Sequence, residues 1–159
     1  MRITDLLKAC SVELNGTPQT KEETIEQMVA LMEKGGNVTD VEKYKAGVFA
    51  REEEGTTGIG EGIAIPHAKT DAVNAPGLAA MVIPAGVDYD ALDGQPVDLV
   101  FLIAAPNTED NVHLEVLSRL SMLLMDESFK QNLLKAKTVE EFLAVVDRAE
   151  NAKNEAEEE

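Results

Sequence analysis

Two histidines, His67 and His113, are the residues of this 159-residue chain whose type and setting best suit chemistry. His67 follows a glycine-punctuated stretch, GIGEGIAIPHAKTDAV (58–73), and His113 stands in NTEDNVHLEVLSRL (107–120). A histidine titrates near pH 6.5, so at neutral pH its imidazole is mainly neutral and offers one bare ring nitrogen. Pro66 lacks an N–H and favours a strand end, which places His67 at the carboxyl end of a strand, where α/β sheets gather ligands. His113 falls in the first turn of a helix, where the dipole disfavours an imidazolium and favours an anion. Two neutral imidazoles beside a helix N-terminus make a site for a phosphoryl group. The same residues also fit blander roles: a hydrogen-bonded structural histidine at 67 and a boundary histidine at a helix start at 113.

Other chemistries fit less well. The histidines could ligate zinc with a carboxylate from Glu61, Asp71 or Asp110, but the chain has no H-x-x-x-H or C-x-x-C spacing. Neither Ser118 nor Ser121 stands in a G-x-S-x-G elbow. Ile63 breaks the G-x-G-x-x-G spacing and no phosphate-binding G-x-x-x-x-G-K-[ST] loop occurs. The glycines instead suit a backbone that turns and approaches another group closely.

The elements that must position these residues alternate in type. Thr20 with Glu23 forms a capping box that opens a helix through Ile25, Met28, Val29 and Met32, ended by Gly35-Gly36. Thr39 with Glu42 repeats the box and opens a helix reaching about Arg51, and Thr138 with Glu141 opens the last one. GIAIP (62–66), LAAMVIPA (78–85) and VDLVFLIAAP (97–106) read as strands, the last two apolar throughout because both faces are covered. An Asp-Gly turn joins the second to the third, and a helix carrying Leu114, Leu117, Leu120 and Leu124 follows. This order predicts a single α/β domain over 1–148. The remaining 149–159 is an acidic tail or the start of a linker that adds nothing to the core.

Net charge is −16, which speaks against nucleic-acid binding and is compatible either with a partner carrying a basic face or with acidity that simply keeps the protein in solution. No apolar run approaches the roughly 20 residues of a membrane span, and the N-terminus lacks a signal core, so a cytoplasmic protein is expected. Cys10 is the single cysteine and is expected to be a small buried hydrophobe.

REEEGTTGIGEGIAIPHAKTDAV, then DGQPVDLVFLIAAP and HLEVLSRLSMLLMD, closely resemble the EIIA domains of the fructose/mannitol class of the bacterial phosphoenolpyruvate-dependent sugar phosphotransferase system. The resemblance runs from about Ile3 to Val146. It implies a mixed β-sheet flanked by helices and a histidine phosphocarrier that needs no cofactor or metal. By that resemblance His67 accepts phosphate from the carrier protein HPr and passes it to a cysteine of EIIB, with the membrane component EIIC served indirectly. His113 would be the second active-site histidine and Arg51 would hold the phosphoryl group. Lys69 and Thr57 lie beside the motif and are expected to shape the pocket, with no chemical role assigned to them, and Glu61 is a solvated residue between glycines. A local apolar or weakly positive rim is expected around His67. The HLEVLSRLSMLLMD stretch looks most like the fructose-type branch; the alternative is a regulatory, nitrogen-related EIIA that controls a bound partner through His67 phosphorylation.

Overall fold

The computed structural model describes residues 2–108 and 111–158. Its centre is the antiparallel pair β5 (Gly77–Val87) and β6 (Val97–Pro106). Successive strand residues point to opposite faces, and both faces are dry. Leu78, Ala80 and Val82 of β5 join Leu99, Phe101 and Ile103 of β6 in one core. Ala79, Met81 and Ile83 join Val100, Leu102 and Ala104 in the other. Two covered faces explain why both segments read as unbroken apolar runs.

Helices α2 (Lys21–Lys34) and α3 (Val41–Glu54) close one face through Ile25, Met28, Met32, Tyr44 and Val48. The other face is closed by α1 (Ile3–Leu6), α4 (Val112–Leu124), α5 (Glu127–Lys135) and α6 (Val139–Glu158). Phe101 on the sheet meets Phe142 on α6 with ring centroids 6.2 Å apart, both fully buried. Burial of such a side chain contributes about 1.5–3 kcal/mol.

Strand order is β1 (Leu7–Glu13), β5, β6, β3 (Ile63–Ala64), β2 (Gly58–Gly60), with β4 (His67–Thr70) also paired to β6. The edge strand β1 runs parallel to β5, and β2 runs antiparallel to β3. Both β3 and β4 lie parallel to β6, so the sheet is mixed, as the resemblance implied. Ile63 pairs with Leu99, Ala64 with Val100 and His67 with Ile103, one constant offset, so β3 and β4 are two halves of a single broken strand. The break falls at Ile65-Pro66. Pro66 has no N–H for the ladder, yet its carbonyl still accepts from Ile103 N–H at 3.0 Å. Ile65 N–H turns aside to Thr57 O at 3.1 Å.

Several local expectations shift. Thr20 caps α2 as read, accepting from Glu23 N–H at 3.1 Å. The cap of α3 is Asp40 rather than Thr39, because the Thr39 hydroxyl donates to Ala72 O. That helix runs to Glu54, past the expected end near Arg51. Leu114 of α4 is half exposed; the buried stripe is Val116, Leu120, Leu123 and Leu124. Cys10 is exposed on the edge strand, not buried. Helix α6 passes residue 149 unbroken, Ala149 packs against the core, and Glu150 is buried with both oxygens on Ile3 N–H at 2.9 and 3.0 Å. The segment from 149 therefore does contribute to the core at its start.

Candidate active site

His67 opens β4, so it begins a strand segment rather than ending one, contrary to the expectation from Pro66. The constant register with β6 explains this: the strand continues across the proline. In that broken strand Ile63 and Ile65 face the core that contains α4, and the period of two gives His67 the same side. His113, second residue of α4, meets it there, with ring centroids 6.4 Å apart and planes tilted by 32°. The fold thus brings together the two histidines the sequence singled out.

The ring of His67 is held by the backbone. Its Nδ1 lies 3.0 Å from Ile65 O, a carbonyl that can only accept. Nδ1 therefore carries the proton, and Nε2 keeps its lone pair. His113 is set differently. Its Nδ1 is buried with no hydrogen-bond partner among the described residues. An unmet buried N–H is costlier than a bare lone pair, so the His113 proton belongs on Nε2. Burial pushes the His113 pKa below its ordinary value, helped by repulsion from His67 and Lys69, so its neutral form is favoured. One ring thus offers a lone pair and the other an N–H. Asn111 precedes α4 without a side-chain cap bond, so the positive end of the helix has no side-chain acceptor from its own N-cap.

Lys69, two residues along β4 from His67, raises the local potential enough to be felt at His113. Lys69 thus sets a positive charge near the histidines in an otherwise acidic chain, and half-exposed Leu114 follows His113 along α4. Arg51 belongs to α3, whose buried residues Tyr44 and Val48 face the opposite core. Its Nη1 donates to Gly55 O at 2.8 Å, within its own turn.

Two of the three carboxylates weighed for zinc are elsewhere engaged or exposed. Asp71 pairs with Lys43 at 2.6 Å, and that contact lowers its pKa. Glu61 is exposed in the β2–β3 turn at φ 58°, its N–H on Asp93 at 3.0 Å and its carbonyl on Lys130. Asp110 lies outside the described residues. Gly62 at φ 76° completes that turn, and a Cβ at Gly58 would meet Ala91 Cα at 2.9 Å, so these glycines serve a turn and a close approach. A cleft of about 420 Å³ lies at the far end of α4, between Ile59, Ile63, Ser121, Met125 and Lys130, and includes neither histidine.

Sequence reasoning missed the groups behind His67. Ile65 supplies the carbonyl on Nδ1, and Thr57 anchors Ile65. Glu52 in turn holds Thr57 N–H and the Thr57 hydroxyl. Glu52 is one of three consecutive glutamates, and nothing in the sequence distinguishes it from Glu53 and Glu54.

A mixed sheet between two helical layers, with two imidazoles brought together at a helix start, defines an α/β domain with a paired-histidine candidate site. The chain belongs to the family described as "Phosphoenolpyruvate-dependent sugar phosphotransferase system, EIIA 2", whose family model matches residues 5–149. It is 45% identical over 148 residues to the PTS system fructose-specific EIIABC component of Bacillus subtilis, covering 93% of this chain and 23% of that protein. It is 41% identical over 152 residues to the fructose-specific EIIA component of Haloferax volcanii, covering 92% of this chain and 99% of that one. The crystal structure of nitrogen regulatory protein IIA-Ntr from Neisseria meningitidis superposes with a TM-score of 0.84 at 30% identity, over 91% of this chain and 98% of that one. The complex of enzyme IIAMTL with phosphorylated enzyme IIBMTL from Escherichia coli superposes with a TM-score of 0.77 at 31% identity, over 89% and 99%. Among the described residues no helix is long and apolar enough to cross a membrane.

Proposed function

We propose that this chain carries phosphoryl groups on His67, taking them from the phosphohistidine of HPr and giving them to a cysteine of EIIB during uptake and phosphorylation of a sugar. The observation that carries this reading is the hydrogen bond from His67 Nδ1 to Ile65 O, which leaves the Nε2 lone pair to attack phosphorus. As the new N–P bond forms, the bond to the donor nitrogen breaks and its electron pair stays with the donor. The His67 ring becomes more positive, and the Ile65 carbonyl stabilises it through the Nδ1 proton. His113 Nε2–H donates to a phosphoryl oxygen, and the α4 N-terminus and Lys69 offset the charge that arrives. Transfer of this kind asks for in-line positioning and charge stabilisation, and the second is the part proposed for His113, Lys69 and the α4 N-terminus.

Arg51 is proposed as a further phosphoryl ligand. Its guanidinium would exchange the Gly55 carbonyl for a phosphoryl oxygen when the partner is bound, a stronger charge-assisted contact. Fructose is the sugar class favoured by the relatives at 41% and 45% identity, and the cytoplasm is the proposed place of action. The likeness to a nitrogen regulatory protein favours a second reading, in which His67 phosphorylation controls binding of a partner protein.

The test is phosphorylation by phosphoenolpyruvate, enzyme I and HPr, with His67→Ala as control. An acid-labile, base-stable label on the wild type and none on the variant is expected. Absence of label on folded wild type refutes the carrier role. Partner binding that follows phosphorylation, without transfer to any sugar EIIB, selects the regulatory reading.

A further inference from the structure

We infer that Glu52 is a positioning residue for His67, acting through Thr57 and Ile65; the catalytic meaning of this rests on His67 being the phosphoryl acceptor. Glu52 lies in the last turn of α3, and its side chain is only 5% exposed. That is an unfavourable place for a carboxylate, because the helix end is already negative and burial removes water. The structure compensates it with a ring of donors. Oε2 and Oε1 accept Thr57 N–H at 3.0 and 3.2 Å, and Oε1 also accepts the Thr57 hydroxyl and the Tyr89 hydroxyl, the latter at 2.7 Å. Burial, then the nearby Glu52 charge, pushes the Tyr89 pKa far up, so this phenol stays protonated. Lys21 supplies the countercharge at 3.9 Å, with its ammonium 4.8 Å over the Tyr89 ring and bonded to Thr56.

Thr57 is the residue this cluster immobilises, and Thr57 is also where the active strand is tied. Its carbonyl accepts Ile65 N–H at 3.1 Å, at the break between β3 and β4. The Ile65 carbonyl, at the other end of that residue, accepts from His67 Nδ1 at 3.0 Å. The run Glu52, Thr57, Ile65, His67 is therefore one unbroken set of contacts from a buried charge to the tautomer of the reacting ring. It does for His67 what a hydrogen-bonded second partner does for a metal-bound histidine: it fixes which nitrogen is bare and where it points. The same turn holds Arg51 through Gly55 O, so α3 and the His67 strand are set by one segment, 51–57.

The experiment reads the ring directly. With 15N-labelled histidine, wild-type His67 is expected to show a single neutral tautomer protonated at Nδ1. Folded Glu52→Ala is expected to show both tautomers, and phosphate acceptance from phospho-HPr should slow by about tenfold or more in kcat with little change in KM. Glu52→Gln keeps an acceptor oxygen for Thr57 N–H and is expected to recover the wild-type tautomer largely. If Glu52→Ala does not fold, Thr57→Val and Tyr89→Phe each remove one donor of the cluster, and both are expected to shift the same nitrogen signals part of the way. A single wild-type tautomer in these folded variants overturns the inference. The nitrogen signals are read on unphosphorylated protein, so a wild type that takes no phosphate would sink the carrier reading while the tautomer result still decides the role of Glu52.

Discussion

Glu150→Ala is expected to destabilise the protein strongly, although it lies in the acidic segment that composition alone marks as a tail. Glu150 is 3% exposed, and its two oxygens sit 2.9 and 3.0 Å from the amide of Ile3, which is itself fully buried. Removing the carboxylate leaves that N–H without its acceptor, and a hydrogen bond to a charged group is worth about 1.5–3 kcal/mol. Arg119, 3.7 Å away and partly exposed, adds at most about 1 kcal/mol. The expected loss is therefore about 3 kcal/mol for alanine. For glutamine, which keeps one acceptor oxygen, it is about 1 kcal/mol. In a domain of this size each kcal/mol moves Tm by about 2–4 °C, which gives drops of about 6–12 °C and 2–4 °C respectively. Thermal unfolding followed by circular dichroism at pH 7 reads both. If the two variants melt together, or if alanine melts within about 2 °C of wild type (about 0.5–1 kcal/mol), the buried anchor is not holding α1 to α6.

Three further outcomes are expected. His113 has a lowered folded pKa, so below about pH 6.5 the unfolded chain binds the extra proton more readily than the native protein does. Stability carries no such penalty above that pH and is lost as pH falls toward the folded pKa; His113→Gln should flatten this part of a Tm-against-pH curve, and an unchanged slope would refute the assignment. Gly58→Ala places a methyl 2.9 Å from Ala91 Cα, a backbone atom that cannot step aside, so urea unfolding should show a loss of about 1–3 kcal/mol. Asp71→Asn removes an exposed partner of Lys43 and should leave both Tm and phosphate acceptance as they are; lost acceptance would place that carboxylate in the chemistry.

The sequence conveyed most clearly what local patterns and covered faces determine. Unbroken apolar runs marked β5 and β6, and the β6 bounds match residue for residue. Thr20 was readable as a cap because its partner is three residues away. The misses share a cause, which is competition from distant groups. Thr39 was drawn off its cap by Ala72, far along the chain, leaving Asp40 to serve. Strand β1 hides because it is an edge strand with a register shift, and its three consecutive exposed residues erase the alternation. That is also why Cys10 faces outward. His67 and His113 were legible as candidates because the chain has no other histidines, and their meeting follows from the strand order. Glu52 was not, since its role depends on Tyr89 and Lys21 arriving from elsewhere.

The gap in the strand from Ile63 to Thr70 behaves like a spacer in a reading frame. Because β3 and β4 keep one offset against β6 on both sides of Ile65-Pro66, the gap must hold two residues for His67 to come out on the side of α4. Removing or adding a single residue there would invert the parity, turning His67 toward the α2–α3 layer and Ala68 toward His113. The face on which His67 emerges is thus set by counting, and a shortened or lengthened gap would leave the sheet paired but its histidines on opposite sides.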